Sequence, residues 1–348
     1  GPTASKKDAI GRQTASSSAA IVAAVTHAPV NSAGRGRAST SHFLSGDPLR
    51  PFTSEGLRTD EPNDLIPHED RRELRGSRVL AAWTNHFDAR EQNTFTSFIS
   101  DESGRGYVQH HIIDFGDIFG SNWASDPMTR RFGYASYFDP GQVLVDFVTL
   151  GAIKRPWDTA RKYPDGEIFG YFDVANFEPH AWKDGYPNYA FSRMDDVDAY
   201  WGARTVARFT DEIIYRLVGE GKLSEPRHAQ YLANVLIGRR DKIVRRYLLP
   251  LSPLDCPRLT SDMFCTRDLL VETSHYPPTA AIYEVRRNEG DWQYVTADKN
   301  GEVCLPIDGM QTVLDFRVRR PEQRMPGRPV RFVVSGGAEP KLLLIDRR

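Results

Sequence analysis

The chain has 348 residues, of which 40% are hydrophobic and 26% charged, a balance typical of a globular protein with one large domain or two ordinary ones. Its formal net charge of −1 excludes the strong positive field that draws proteins to nucleic acid or acidic membranes, so we expect neither as a partner. No apolar run reaches the roughly 18 residues that a membrane-spanning helix needs.

The first segment, residues 1–40, is rich in Ser, Ala, Gly and Thr and is typical of low complexity. Basic residues before the apolar run Ala19–Val25 mimic a secretory signal, but the run is short and no small-x-small cleavage site follows it. Gly1-Pro2 is typical of a protease scar, which predicts a fragment of a longer protein. The compartment, cytoplasmic or secreted, therefore stays open.

A helix followed by a hairpin is predicted for residues 67–113. Pro67 and the acids after it favour a helix start, and an apolar face at helical spacing continues to about Asn85. Two runs rich in β-formers follow, Thr94–Ile99 and Tyr107–Ile113. The Asp, Ser and Gly residues between these runs are typical of a hairpin turn.

Two longer helices are predicted after an aromatic, proline-rich stretch that favours loops and short helices. Asp195 or Asp196 can cap the first helix, which extends to about Val218, and Ser224 can cap the second. A basic run on the second helix, residues 239–246, predicts a solvated face.

The last part of the chain, residues 258–348, is predicted to form a small β-sandwich because short β-type runs alternate with Asn, Asp and Gly turns. We therefore divide the chain into residues 1–40, 41–257 and 258–348. The strand candidates are Ala281–Arg286, Trp292–Thr296, Glu302–Pro306, Leu314–Val318, Val330–Val334 and Lys341–Ile345.

The three cysteines, Cys256, Cys265 and Cys304, form no CxxC pair, so we expect no zinc or redox site of that type. Cys256 and Cys265 could close a short-loop disulfide. Three isolated thiols are the interpretation that we favour.

The densest chemical signal is the segment His86–Asn93, which fits the pattern H-x-D-x-x-x-x-N. The predicted hairpin separates it from the triplet Asp114-Phe115-Gly116 and brings Asn93 and Asp114 to one point. Amide and carboxylate oxygens suit Mg²⁺, so Asn93 and Asp114 are candidate metal ligands. Either motif alone is weak, but their order and the hairpin between them make the combination specific.

This combination resembles the catalytic half of protein kinases, and Ile112–Gly120 is especially similar to the activation-loop start of phosphoinositide 3-kinase-like enzymes. The resemblance covers about Ser41–Tyr247, although its sharp motifs occupy only residues 86–120. It implies a protein of the α+β class, with a mainly helical kinase-like C-terminal lobe that carries a β-hairpin active site.

The resemblance implies an ATP-dependent phosphotransferase that uses Mg²⁺ or Mn²⁺ and acts on a hydroxyl of a protein, a sugar or a small molecule. Asp88 would act as the base that takes the acceptor proton. Arg90 would stabilise charge on the transferred group, and His86 would support the backbone of the Asp-Phe-Gly triplet. Asn93 and Asp114 would hold the metal.

The same resemblance implies contacts to the nucleotide from two places. Phe43 and Leu44 would belong to the hinge that meets adenine, and Phe115 and Gly116 would border the bound nucleotide.

Most of a kinase N-terminal lobe is missing from the sequence. The only lysines before His86 are Lys6 and Lys7, and no glycine-rich loop is visible. Residues 1–40 are then a remnant of that lobe, or a separate chain supplies it. The alternative function is a pseudokinase, a nucleotide-responsive binding or scaffold module.

Pro62–Gly76 and Ala81–Asn93 also resemble a group of bacterial proteins without an assigned activity. They share the pattern D-P-N-D-x-I-P-H-E-x-R-R-E-L-R-G, in which Glu61 here replaces the first Asp.

Two further interpretations concern the site. Asp117 is a minor candidate for the metal, and several tyrosines could line an acceptor groove, although loop packing is the simpler role for them. These tyrosines are Tyr134, Tyr137, Tyr163 and Tyr171.

Overall fold

The computed structural model describes residues 44–120, 129–163, 166–307, 311–337 and 339–347, together with short pieces of the first 43 residues. Its contacts separate the chain into two compact units. The first unit comprises residues 1–48 and 97–109, and the second comprises residues 49–96 and 110–348.

The first unit contains short antiparallel pairings. Strand β1 (Ser5–Lys7) pairs with β2 (Gln13–Ala15), and β3 (Asp47–Pro48) pairs with Ser97 and Phe98 in the middle of β4 (Thr94–Ser100). Gly46 has a positive φ and approaches the backbone of β4 so closely that an added Cβ would collide with it, which explains the glycine.

The α-helices given below lie in the second unit. They include a helix within the predicted range 67–85 and helices at the positions of the two longer predicted helices. No helix among the described residues is long and apolar enough to cross a bilayer. The α-helices are α1 (Arg72–Thr84), α2 (Pro140–Thr149), α3 (Gly166–Phe169), α4 (Tyr189–Ser192), α5 (Asp196–Ala207), α6 (Asp211–Glu220), α7 (Pro226–Tyr247) and α8 (Leu269–Glu272). Short 3₁₀ turns lie at His68–Asp70, Glu91–Asn93, Pro156–Asp158 and Pro278–Ala280.

Two helix boundaries differ from the prediction. The helix that starts after the Asp195 cap ends at Ala207, and α6 begins anew because the Thr210 hydroxyl accepts a hydrogen bond from the Ile213 amide. Helix α7 starts at Pro226 without a side-chain cap, because proline at the first helical position has no amide hydrogen to satisfy.

Helix α1 lies at the centre of the helical core, where it packs against α5. Gly76 and Gly202 lie at the crossing, and a Cβ on either residue would collide with the other helix. An ion pair strengthens the same contact, since Arg75 Nε and Nη2 lie 2.6 and 2.9 Å from the two oxygens of the buried Asp198 carboxylate.

The predicted solvated basic face of α7 is wrong for Arg239, which is buried. Its guanidinium donates to the carbonyls of Ala82 and Trp83 at the C-terminal end of α1, where a positive charge is favoured, and to the carbonyl of Asp173. Because desolvation disfavours the charged form, burial lowers the pKa of Arg239 to about 9.

The C-terminal strands form two antiparallel sheets, in the orders β13-β12-β11-β8-β9 and β10-β7-β6, and both contribute to one buried apolar cluster. All six predicted strands are present, whereas β6 and β7 were not predicted. The chain is therefore a mixed α+β protein with several antiparallel sheets, as expected. The strands are β5 (Gly106–Ile112), β6 (Leu254–Leu259), β7 (Met263–Asp268), β8 (Ile282–Arg287), β9 (Gln293–Val295), β10 (Glu302–Pro306), β11 (Gln311–Arg319), β12 (Val330–Ser335) and β13 (Lys341–Asp346).

The cysteine prediction is wrong. Cys265 on β7 lies directly opposite Cys304 on β10, and the two form a disulfide, while Cys256 keeps an exposed free thiol. The sequence could not indicate this pairing, because it depends on which strands become neighbours.

Candidate functional site

The loop that carries the H-x-D-x-x-x-x-N motif starts where α1 ends. Asn85 closes the helix in the left-handed conformation, with φ of 56°, and its side-chain oxygen accepts a hydrogen bond from Trp182 Nε1 at 2.9 Å. The His86 amide still bonds the Ala81 carbonyl at 2.8 Å. The side chain of Asn85 and the backbone of His86 are thus both held by hydrogen bonds just before Asp88.

Asp88 is held by its own loop. Asn93 Nδ2 donates to the backbone oxygen of Asp88 at 2.8 Å and to its carboxylate Oδ2 at 2.9 Å. Arg90 Nε lies 3.1 Å from the other oxygen, Oδ1, which is buried and accepts no hydrogen bond from the described residues. Burial raises the pKa of Asp88 above its usual range, although the Asn93 hydrogen bond and the Arg90 charge oppose this shift.

The hairpin of β4 and β5 returns the chain to the same loop. The Ile113 amide donates to the Asn93 carbonyl at 2.9 Å, so Asp114 follows one residue after a direct contact with the candidate metal ligand. Asp114 has φ of 59°, a conformation that costs energy for residues other than glycine and that often occurs at functional sites. Its exposed carboxylate has no hydrogen-bond or ion-pair partner within the described ranges.

Both carboxylate oxygens of Asp117 contact the loop His86–Asn93. Oδ1 lies 2.8 Å from His86 Nδ1, and Oδ2 accepts a hydrogen bond from the Asp88 amide at 2.9 Å. The sequence suggested Asp117 as a minor metal candidate, whereas in the structure it fixes the position of Asp88. The His86 ring also lies 5.1 Å from the Phe115 ring, a contact in line with the supporting role predicted for His86.

The structure therefore brings together His86, Asp88, Arg90, Asn93 and the start of the Asp-Phe-Gly triplet. A Cβ at Gly116 would lie 3.4 Å from Asp114 Oδ1, an ordinary contact distance, so space alone does not require glycine at this position. The structure does not test the two residues predicted to meet adenine. Leu44 belongs to the first unit, Phe43 lies outside the described residues, and both assignments stay predictions.

The motif shared with the bacterial group mainly shapes the chain before α1. The Asp64 carboxylate contacts His68 Nε2 at 2.8 Å and the Arg58 amide at 2.6 Å, and it pairs with Arg71. Burial acts to raise the pKa of Asp64, but these hydrogen bonds and charges outweigh it and hold the pKa below its usual range. His68 in turn stacks on Phe52 with ring centroids 4.2 Å apart.

A side chain that the sequence analysis missed links this segment to the loop His86–Asn93. Glu91 accepts hydrogen bonds from the Ser54 amide at 2.7 Å and the Ser54 hydroxyl at 3.0 Å. Nothing in the sequence marks Glu91 for this role, because an acidic residue in a loop is usually solvated. The partner itself is 37 residues away and could not be identified from spacing.

The donor set around Asp88 fits a hard cation. Asn93 uses its amide nitrogen for Asp88, which leaves its oxygen for a metal, and the Asp114 carboxylate has no partner among the described residues. The group of His, Cys, Asp or Glu side chains with metal-ligand spacing in the described part of the chain is Cys265, Glu302 and Cys304, but its two sulfurs are joined in the disulfide.

No family model matches the chain, and no curated protein or solved structure matches it either.

Proposed function

We propose that the protein is an ATP-dependent phosphotransferase that uses Mg²⁺ or Mn²⁺ and acts on a hydroxyl acceptor. In this proposal the helices of the second unit form a kinase-like C-terminal lobe, and Asn93 and Asp114, which flank the hairpin of β4 and β5, lie in its active site. The two C-terminal sheets form a small β-sandwich appended to that lobe.

The observation that carries the proposal is the state of Asp88. One carboxylate oxygen is fixed by Asn93, while the other is buried, lies next to a cation and accepts no hydrogen bond from the residues that the structure describes. Burial raises the pKa of this carboxylate, which brings it closer to the range useful for a general base. Such a group suits removal of the proton from an acceptor hydroxyl.

The metal would lie between Asn93 and Asp114, whose segments meet at the Ile113–Asn93 hydrogen bond. A bound cation would neutralise charge on the nucleotide phosphates. Arg90 would stabilise charge on the transferred group, and His86 and Asp117 would keep the loop in position.

The alternative is a pseudokinase that binds nucleotide and acts as a scaffold. It is favoured by one feature of the sequence, the lack of any lysine between Lys7 and His86, since kinases grip the nucleotide phosphates with a lysine of the N-terminal lobe. The two functions differ in whether bound ATP is turned over.

Two substitutions test the proposal on the full chain. Asp114→Ala should weaken Mg²⁺-dependent ATP binding, measured by titration calorimetry, because it removes a charged metal ligand. Asp88→Ala should leave that binding nearly intact and slow transfer from radiolabelled ATP by roughly 10²–10⁴-fold, the usual contribution of a positioned base.

Glu102→Ala, a change at an exposed residue of the hairpin turn, is the matched control and should affect neither quantity. Wild-type protein that binds ATP without turnover under all conditions would favour the scaffold. Normal turnover by Asp88→Ala would show that another group is the base.

A further inference from the structure

Two half-exposed tyrosines lie beside the catalytic loop. Tyr137 and Tyr186 are 39% and 41% exposed, and their ring centroids are 4.9 Å apart. The Arg90 guanidinium lies 4.9 Å from the Tyr186 ring centre, while Arg90 Nε lies 3.1 Å from Asp88 Oδ1. An unbroken series of contacts therefore connects Asp88 to an exposed aromatic surface, which we call the tyrosine platform.

The backbone fixes this platform to the residue before Asp88. The Tyr137 amide donates to the Gly185 carbonyl at 2.8 Å, and the Gly185 amide donates to the Phe87 carbonyl at 2.6 Å. A Cβ on Gly185 would lie 2.8 Å from Tyr137 Cε2 and 3.1 Å from the Phe87 ring, so glycine allows the three segments to approach. The platform is thus positioned by three segments rather than by one loose loop.

Buried aromatic residues support the Tyr137 ring. Phe87 and Phe132 stack with centroids 3.6 Å apart, and Tyr137 meets them edge-on at 6.1 and 5.8 Å. Edge-to-face contacts of this kind are favourable and restrict the ring orientation. Tyr137 therefore presents a ring of restricted orientation near Asp88, as a binding surface requires.

The charges around the platform favour a neutral ligand. Burial, with Tyr186, Asp88 and Asp117 nearby, raises the pKa of Tyr137 to about 12, so its phenol is uncharged at neutral pH. The Asp88 carboxylate disfavours a second anion. Two nearby cations already have partners, since Arg90 pairs with Asp88 and Lys183 Nζ lies 2.7 Å from Asp139 Oδ2.

We propose that Tyr137 and Tyr186 form the acceptor subsite and that the acceptor is a neutral saccharide. The apolar face of a sugar ring would stack on the platform, and its hydroxyls would meet the phenols and Asp88. An extended peptide is disfavoured, because both tyrosines lie in loops and offer no strand edge for main-chain pairing.

This inference rests on the proposed phosphotransferase activity. In the reaction, a sugar hydroxyl oxygen forms a bond to the γ-phosphorus of ATP, and the bond from that phosphorus to the β–γ bridging oxygen breaks. The hydroxyl proton goes to Asp88, and the products are ADP and a sugar phosphate.

Saturation-transfer NMR on the full chain tests the subsite with four neutral probes: cellotetraose, maltotetraose, xylotetraose and chitotetraose. We expect transfer to the ring protons of at least one probe. Tyr186→Ala should weaken that binding about tenfold, the equivalent of one lost aromatic contact. Tyr294→Ala, which changes a more exposed tyrosine on β9, should have no effect. Tyr186→Leu, which keeps an apolar side chain without a ring, should also weaken binding if Tyr186→Ala fails to fold.

ATP turnover is measured on the same samples so that the two proposals are judged separately. Saccharide binding that depends on Tyr186 supports the subsite even if the protein never turns over ATP, an outcome that would contradict only the proposed function. Absence of binding to all four probes, or binding that Tyr186→Ala leaves unchanged, would overturn the subsite. Phosphorylation of serine peptides without saccharide binding would also overturn it, while the phosphotransferase activity would stand.

Discussion

At the scale of single residues, Asp117 stands out because it organises a loop 29 to 31 positions before it in the chain. Its carboxylate holds the His86 ring and the Asp88 amide. Its negative charge also helps to raise the pKa of Asp88, after the larger effect of burial. We therefore regard Asp117 as a positioning residue that acts through Asp88.

Asp117→Asn tests this role through the pH dependence of turnover. In the proposed mechanism Asp88 acts as a base only when it is deprotonated, so kcat should rise with pH through its pKa, which burial raises above the usual range. Removal of the neighbouring negative charge should lower that pKa and move the acid limb of the kcat profile to lower pH. Above the limb, kcat should fall about tenfold, as expected for a lost hydrogen bond to a charged group.

The KM for ATP should stay near the wild-type value, because Asp117 does not contact the nucleotide in this scheme. A folded variant with lower kcat but an unmoved acid limb would show that Asp117 is only structural.

At the scale of elements, the segment before α1 depends on charge rather than on apolar packing. The Asp64 side chain is 4% exposed and is shared by His68, Arg71 and the Arg58 amide. Removal of one member of such a buried network is expensive, because the remaining charges stay desolvated without a partner.

Asp64→Asn should therefore lower the free energy of unfolding by about 3 kcal/mol, measured by urea denaturation at neutral pH. Asp60→Asn is the control, because Asp60 pairs with Arg58 at the surface of the same loop and should matter little. Since the pKa of Asp64 is depressed in the folded state, its contribution is present at neutral pH and is lost as the pH falls below about 4. Equal stability of the two variants at pH 7 would contradict this account.

At the scale of the whole second unit, the helical core and the C-terminal sheets meet at Arg347. Its guanidinium donates to the Ser252 carbonyl at 3.1 Å and the Leu254 carbonyl at 2.5 Å, and it lies 4.1 Å from the ring centre of Tyr200 on α5. One side chain thus joins the last strand, the connecting segment and a core helix. The predicted domain boundary near residue 257 stays a prediction, and a substitution of Arg347 can test it.

Arg347→Ala should uncouple the two cores. We expect the wild type to unfold in one calorimetric transition and the variant to show two, because loss of the three contacts lets the sheets open before the helices. Lys341→Ala, a change at an exposed position of the same strand, should keep a single transition. A single, merely shifted transition in Arg347→Ala would mean that other contacts carry the coupling.

The sequence by itself determined the elements whose signals are local. The period of apolar residues predicted α1, and alternation with Asn and Asp turns predicted six of the C-terminal strands. The H-x-D-x-x-x-x-N motif and the Asp-Phe-Gly triplet indicated that a hairpin would bring Asn93 next to Asp114, and the Ile113–Asn93 hydrogen bond agrees with this. These signals suffice because each is carried either by residues close together in the sequence or by the two neighbouring strands of one hairpin.

Only the tertiary structure decided which distant side chains meet. The role of Asp117, the contact of Tyr137 with Tyr186 and the pairing of Cys265 with Cys304 join residues 29 to 49 positions apart. Arg239 was assigned to a solvated face because a charge usually avoids burial, yet the C-terminal carbonyls of α1 give it partners in the core. Spacing along the chain carries no information about such contacts, because they form only when separate helices, strands and loops pack against one another.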